Sequence, residues 1–203
     1  MMRIGLDLDN TLISYETAFS AVAKRMALLP IDFKGGKAAV RRYLRSLPGG
    51  EQQWRDLQAE VYGREMRFAE LTRGAEQFLG LCRQRKVEVV IVSHKSEYAA
   101  NDRHHINLRH AALAWLEQQG LFDTATTGLT ISSLFFEGSR DDKVKRIARL
   151  APDCFVDDLP EVLLHPAFPA TVRPILYSPG EPPPLGIDMI SNWEVLADEL
   201  FVH

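Results

Sequence analysis

The sequence predicts an α/β fold: a parallel β-sheet sandwiched by helices, with a block of helices inserted after the first strand. Three observations lead there. Short apolar or β-branched runs recur along the chain and alternate with amphipathic helices, the pattern that builds a parallel sheet covered on both faces. Polar residues stand at the carboxyl ends of those runs, namely Asp7 and Asp9, Ser93, and Asp157 with Asp158. Ligands bind at those ends in such sheets. Nothing in residues 15–72 reads as a strand, so that stretch is all-helical.

The first strand organises the chain. A short apolar run (2–6) carries into Asp7 and Asp9 and then into a loop containing Thr11. Positions two apart in a strand share a side, and acids so placed are costly to bury unless something positive lies between them. Mg²⁺, held by one or two carboxylates, phosphate oxygens and water, resolves that cost. A plain turn on Asp9-Asn10 is the competing reading.

The insertion follows. Phe19, Val22, Met26 and Leu29 fall at helical spacing over residues 15–29, which Pro30 ends. A loop at 32–37 precedes a helix over 38–47, stopped by Pro48-Gly49-Gly50, and a third helix runs from about 51 to 68 through Trp54, Leu57 and Val61. The pattern then changes. A helix over 74–86 runs straight into 87–93, whose near-continuous apolarity is that of a strand covered on both faces. A helix over 107–119, a strand at 134–136, a helix starting within 138–143 and a strand at 154–158 come next. Pro160 and Glu161 open a short helix, short strands fall at 172–177 and 188–190, and residues 193–201 form the closing helix. Pro182-Pro183-Pro184 reads as a stiff surface linker. Residues 1–14 and 73–203 thus form the α/β domain, and 15–72 the insertion.

Composition narrows the function. A length of 203 residues suits one well-packed core with a sizeable insertion. A net charge of -3 makes no electrostatic case for coating nucleic acid, which needs a basic excess. Cys82 and Cys154 lie in apolar surroundings and read as buried free thiols in a reducing compartment. No basic-then-apolar leader opens the chain, and no apolar run nears the ~18 residues that span a bilayer. A cytoplasmic domain off the membrane is the expectation; oligomeric state is not legible.

The strand-end groups together suit phosphoryl transfer, where catalysis is mostly positioning and charge neutralisation. Asp7 would attack phosphorus, giving an aspartyl-phosphate. Asp9 would protonate the leaving alkoxide and then activate water. Lys143 would supply one point charge. Mg²⁺, drawn to Asp7, Asp9 (through a nearby backbone carbonyl), Asp157 and Asp158, would supply the other. Ser93 and the backbone N–H groups after it would donate to phosphate oxygens, with His94 and Thr11 on the same loops. Lys145 competes with Lys143, which stands nearer its helix start. Alternation puts Asp157 and Asp158 on opposite faces, so one of the two should touch metal.

This motif order resembles the haloacid dehalogenase-like (HAD) superfamily, specifically its Mg²⁺-dependent phosphatases. The resemblance rests on Asp7-Leu8-Asp9-Asn10-Thr11-Leu12, on Val90-Ile91-Val92-Ser93, on Lys143 and on Phe155-Val156-Asp157-Asp158. It implies a Rossmann-like core with an inserted helical cap after the first strand. It also implies Asp7 as nucleophile, Asp9 as general acid/base, Ser93 as phosphate-binding hydroxyl, Lys143 as charge-balancing lysine, and Asp157 and Asp158 as the final metal-binding acids. Asn10 stands where many relatives of that family carry glycine.

Other residues have plainer readings beside functional ones. His104, His105 and His110 lack the three- or four-residue spacing of a helical metal pair and read as surface. Lys37, Arg41 and Arg45 share one helical face, either solvated or facing an anionic part of the substrate. Trp54 and Tyr62 read as packing within the insertion, and His94 and Lys95 as pocket-mouth or solvated loop residues. The expected activity is a Mg²⁺-dependent phosphomonoester hydrolase taking a small-molecule phosphate ester. A phosphotransferase or mutase with the same site, a metal-independent dehalogenase, a nucleic-acid end phosphatase and a non-catalytic binding domain are its rivals.

Overall fold

Gly5 sits in the middle of β1 (Arg3–Leu6), opposite Phe155 of the strand Cys154–Asp157. A Cβ there would stand 2.4 Å from the Phe155 ring, so the residue without a side chain lets that ring lie across β1. The computed structural model describes residues 1–99, 104–180 and 186–201. After β1 come β2 (Ile13–Ser14), α1 (Glu16–Arg25), α2 (Lys37–Arg45), α3 (Gly50–Tyr62), β3 (Glu70–Leu71), α4 (Ala75–Gln84) and β4 (Glu88–Ser93). Then follow α5 (Leu108–Gln118), β5 (Leu134–Phe136), α6 (Arg140–Leu150), β6 (Cys154–Asp157), α7 (Pro160–Leu163), β7 (Arg173–Tyr177), β8 (Asp188–Ile190) and α8 (Trp193–Phe201).

Six strands pair in parallel in the order β5-β4-β1-β6-β7-β8. Apolar side chains cover both faces. Val92, Phe155 and Leu176 pack with Val144 and Ile147 of α6 and Val162 and Leu163 of α7. Tyr177, the neighbour of Leu176, stacks instead on Trp193 of α8 at 5.3 Å, and Phe78 of α4 lies 5.0 Å from the same indole. Consecutive strand residues point to opposite faces, so α6 and α7 cover one face and α4 and α8 the other. The expected α/β fold, a Rossmann-like parallel sheet between helices, is the observed one. The chain goes from β1 to β4 on one side and to β6 on the other, so the topological switch lies at β1, where such sheets bind ligands.

The chain divides into two compact units, one of Met1–Ile13, Leu71–Lys95 and Gln119–His203, the other of Ser14–Glu70 and Ser96–Gln118. The helix at 107–119, grouped with the α/β domain in the sequence analysis, therefore belongs with α1, α2 and α3. Its observed form, α5, buries Leu108, Ala112, Trp115 and Leu116, and it packs on α3 and the helical turn Met66–Phe68. In that unit Trp54 stacks on Phe19 at 4.9 Å, and Tyr62 meets Tyr15 edge-on at 4.8 Å, so both Trp54 and Tyr62 serve packing. A second correction concerns strands: β3 closes the stretch read as wholly helical and pairs with β2. Two-residue strands carry no alternation from which to read them. The linker reading of Pro182-Pro183-Pro184 lies outside the described residues. Among the described residues no helix is long and apolar enough to cross a membrane.

Candidate active site

The loop after β1 is tied down before it supplies any chemistry. The Asp7 N–H donates to the Val156 carbonyl at 2.8 Å, and the Leu12 and Ile13 N–H groups return to the Leu8 carbonyl. Asn10 takes a left-handed conformation (φ 64°), which asparagine tolerates better than most residues and glycine freely. Its side-chain amide donates to Asp158 Oδ2 at 3.1 Å. Thr72 donates to the Thr11 carbonyl at 2.7 Å and accepts from Trp193 Nε1 at 2.8 Å. Thr11 in turn donates its hydroxyl to Asp7 Oδ2 at 3.2 Å. Thr11, expected to bind phosphate, thus spends its side chain on the carboxylate.

Lys143 reaches the same carboxylate from α6. Ser139 caps that helix by accepting from the Asp142 N–H at 3.1 Å, and Lys143 follows in the first turn. Its side chain has no solvent exposure, and its Nζ lies 2.5 Å from Asp7 Oδ1 and 2.7 Å from Asp157 Oδ2. The first contact is an aligned hydrogen bond; the second is close but off the line that a hydrogen bond prefers. Burial works against the ammonium, yet Asp7 and Asp157 outweigh it and hold the lysine above its usual pKa. Lys145, its rival, is exposed and pairs with Asp142 at 3.1 Å.

Asp7, Asp157 and Asp158 converge, each offering a carboxylate oxygen, with the three atoms within 4.8 Å of one another. Asp157 and Asp158 both take part, although alternation assigned them opposite faces. That rule holds only within a strand, and β6 ends at Asp157. Burial pushes the Asp7 carboxyl up to about 6, against the pull of Lys143 and with help from Asp157 and Asp9. Burial, then Asp7 and Asp157, push Asp158 up to about 8. Asp157 is raised by burial too, against Lys143. Two buried acids and a half-buried third facing one ammonium carry surplus negative charge. Hard oxygen donors so placed fit a hard divalent cation such as Mg²⁺.

The metal contact expected at Asp9 runs through a nearby backbone carbonyl, and the Asp9 carboxylate is not in that group. Its Oδ1 lies 2.9 Å from Nζ of Lys95, whose side chain is only 4% exposed. Lys95, expected at the pocket mouth or in a solvated loop, is thus buried against an acid; nothing in a polar stretch shows that a lysine there finds such a partner. Ser93 ends β4 fully buried, and its carbonyl accepts from the Glu137 N–H at 2.8 Å. By register Leu6, the last residue of β1, faces Ile91 of β4 and Val156 of β6, two residues before Ser93 and one before Asp157. The ring of His94 follows, with Nδ1 buried and unbonded. Burial, then the Lys143 charge, hold its imidazole below the usual value.

The remaining candidates lie in the other unit. Lys37 sits 5.4 Å above the Phe19 ring and 5.8 Å above that of Tyr62, and Arg45 pairs with Glu51 at 2.7 Å, whereas Arg41 is exposed. The basic stripe is thus partly engaged within its own unit. His104 lies 3.2 Å from Arg64. Among the described residues the acid trio is the only group of three or more His, Cys, Asp or Glu side chains placed so that it could hold a metal ion. Cys82 and Cys154 are free and buried, with burial pushing both thiols up to about 12.

Comparison with known proteins locates the fold. No protein-family model and no curated protein matches the sequence. Solved structures do. A putative β-phosphoglucomutase from Thermotoga maritima aligns with TM-score 0.63 and 11% identity, over 99% of this chain and 100% of that one. Mycobacterium tuberculosis Protein Tyrosine Kinase A aligns with TM-score 0.62 and 16% identity, over 98% of each chain. A HAD-family hydrolase from Deinococcus radiodurans, solved with bound phosphate and sodium, gives TM-score 0.53 and 17% identity over 98% of this chain and 94% of that one. With a parallel sheet switching at β1 and these full-length likenesses, the chain has the fold of the haloacid dehalogenase-like superfamily.

Proposed function

We propose that this protein is a Mg²⁺-dependent phosphomonoester hydrolase that acts on a small phosphorylated compound through an aspartyl-phosphate on Asp7. One observation carries the reading: a fully buried ammonium, Lys143, lies 2.5 Å from Asp7 and 2.7 Å from Asp157 beside a third acid, Asp158, at the switch point of the sheet. A structural ion pair needs two partners; this one keeps three acids together at the cost of their mutual repulsion.

The residues divide the work as follows. Thr11 and Lys143 fix the two oxygens of Asp7, so that the carboxylate presents a lone pair to phosphorus. A bond forms between Asp7 and phosphorus as the ester P–O bond breaks, and Asp9 gives its proton to the departing alkoxide. Asp9 then takes a proton from water, the water oxygen bonds to phosphorus, and the acyl-phosphate bond returns its electrons to Asp7. Ser93 and the N–H groups after β4 hold phosphate oxygens, and His94 lines the same loop. Asp7, Asp157 and Asp158 would hold Mg²⁺, which when bound supplies positive charge against the crowded carboxylate and phosphate oxygens. The like-folded structure named for a phosphoglucomutase keeps open the transfer of the same phosphoryl group to a sugar hydroxyl.

The test is a screen of sugar phosphates, nucleotides and phospho-acids with Mg²⁺, using Asp7→Asn as the blank. The expected result is phosphate released in step with substrate loss, and a fall of about 10³-fold or more in the folded Asp7→Asn protein. Activity near wild type in that variant contradicts the nucleophile assignment. Substrate loss without phosphate release favours the transferase reading.

A further inference from the structure

We propose that Lys95 is a positioning residue: its buried ammonium holds the Asp9 carboxylate apart from the three-acid cluster, so that Asp9 serves the leaving group instead of the metal. The inference rests on the phosphatase reading above and assigns a part to a residue outside it. Lys95 has a side chain 4% exposed, with Nζ 2.9 Å from Asp9 Oδ1. Burying an ammonium is costly without a compensating charge, and this one finds it in an acid two residues beyond Asp7. Lys95 itself lies two residues beyond Ser93, so the pair joins the loops leaving the adjacent parallel strands β1 and β4. The Asp9 carboxylate is absent from the group formed by Asp7, Asp157 and Asp158, though only one residue separates Asp9 from Asp7 along the chain.

Charge counting agrees with this division. Asp7, Asp9, Asp157 and Asp158 face two ammonium groups, Lys143 and Lys95. The surplus equals the charge of one divalent cation, and Lys95 accounts for the share that Asp9 brings. With that ammonium gone, the Asp9 carboxylate would be free to turn toward the nearest positive charge, the metal.

Leaving-group dependence separates this role from simple charge loss. An alkoxide needs a proton as the ester bond breaks, whereas p-nitrophenolate leaves without one. The quantity kcat/KM reports steps only up to transfer of the phosphoryl group to Asp7. Losing a positive charge weakens binding of either phosphate alike, so it cancels in the ratio of kcat/KM for an alkyl phosphate to that for p-nitrophenyl phosphate. Lys95→Met should lower that ratio by about tenfold to hundredfold, part of the usual contribution of a general acid. Asp9→Asn should lower it at least as much, the double variant no further, and Lys95→Arg should restore most of it. An unchanged ratio in folded Lys95→Met overturns the proposal. If the methionine variant does not fold, Lys95→Gln takes its place.

A second readout needs no turnover. In calorimetric titration with Mg²⁺, Lys95→Met should bind the ion about tenfold more tightly than wild type, because a released carboxylate adds its charge, and adding Asp9→Asn should abolish the gain. Equal affinity in wild type and Lys95→Met overturns the proposal. Wild-type protein inert toward both esters would sink the phosphatase reading, while the titration would still decide the role of Lys95.

Discussion

Lys143 is buried without exposure between Asp7 and Asp157, and that placement makes a stability prediction as well as a catalytic one. Removing its charge leaves buried acids facing each other, so Lys143→Met should lower unfolding free energy by about 3–5 kcal/mol. The exposed Lys145→Met should stay within about 0.5 kcal/mol. Urea unfolding measures both, and equal losses would contradict the assignment of the buried role. Before folding, the two lysines differ only in distance from a helix start. That sufficed here because the first turn of α6 points its fourth residue at the sheet. Asp7, Asp157 and Asp158 were equally legible, since acids ending apolar runs must find compensation. Lys95 was not: a lysine in Ser93-His94-Lys95-Ser96 looks solvated, and only the partner on the β1 loop reveals its burial. The same holds for Asp9, whose pairing with Lys95 on the β4 loop no local pattern in the sequence shows.

At the scale of elements, long apolar runs declared themselves. β4, β6 and the helices α4, α6 and α8 appear within a few residues of where periodicity put them. What escaped was either too short or set by tertiary packing. β2 and β3 have two residues each, and α5 has an apolar face that fits an α/β layer as well as the α3 surface it joins. Gly5 shows the tightness of the centre of the sheet. Gly5→Ala would press a Cβ to 2.4 Å from the fully buried Phe155 ring and 3.2 Å from Pro152, and should cost about 1–3 kcal/mol. A lower urea midpoint at unchanged slope would be the signature. No loss would mean that the Phe155 ring yields freely.

For the whole molecule, the surplus of acids links metal, stability and pH. Asp7 and Asp158 titrate at about 6 and about 8, above the usual carboxylate value of 3.8. Without a cation the folded chain therefore binds protons that the unfolded chain releases. Stability from these two groups is present at low pH and is lost as pH rises from near 4 toward 8. A divalent cation reverses the dependence, because it binds the deprotonated acids. The Mg²⁺-induced rise in Tm should be larger at about pH 8.5 than at about pH 5.5, with chelation by EDTA removing it. A rise independent of pH would mean that the acid trio does not hold the ion.

The central claim is that Asp7 carries the phosphoryl group, and chemical trapping tests it most directly. Protein quenched during turnover of a substrate from the screen, then treated with borohydride, converts an acyl phosphate to the corresponding alcohol. The expected result is homoserine at position 7, detected by peptide mass spectrometry, absent from Asp7→Asn and, with p-nitrophenyl phosphate as substrate, enriched in Asp9→Asn. Phosphate release with position 7 unmodified throughout would contradict it.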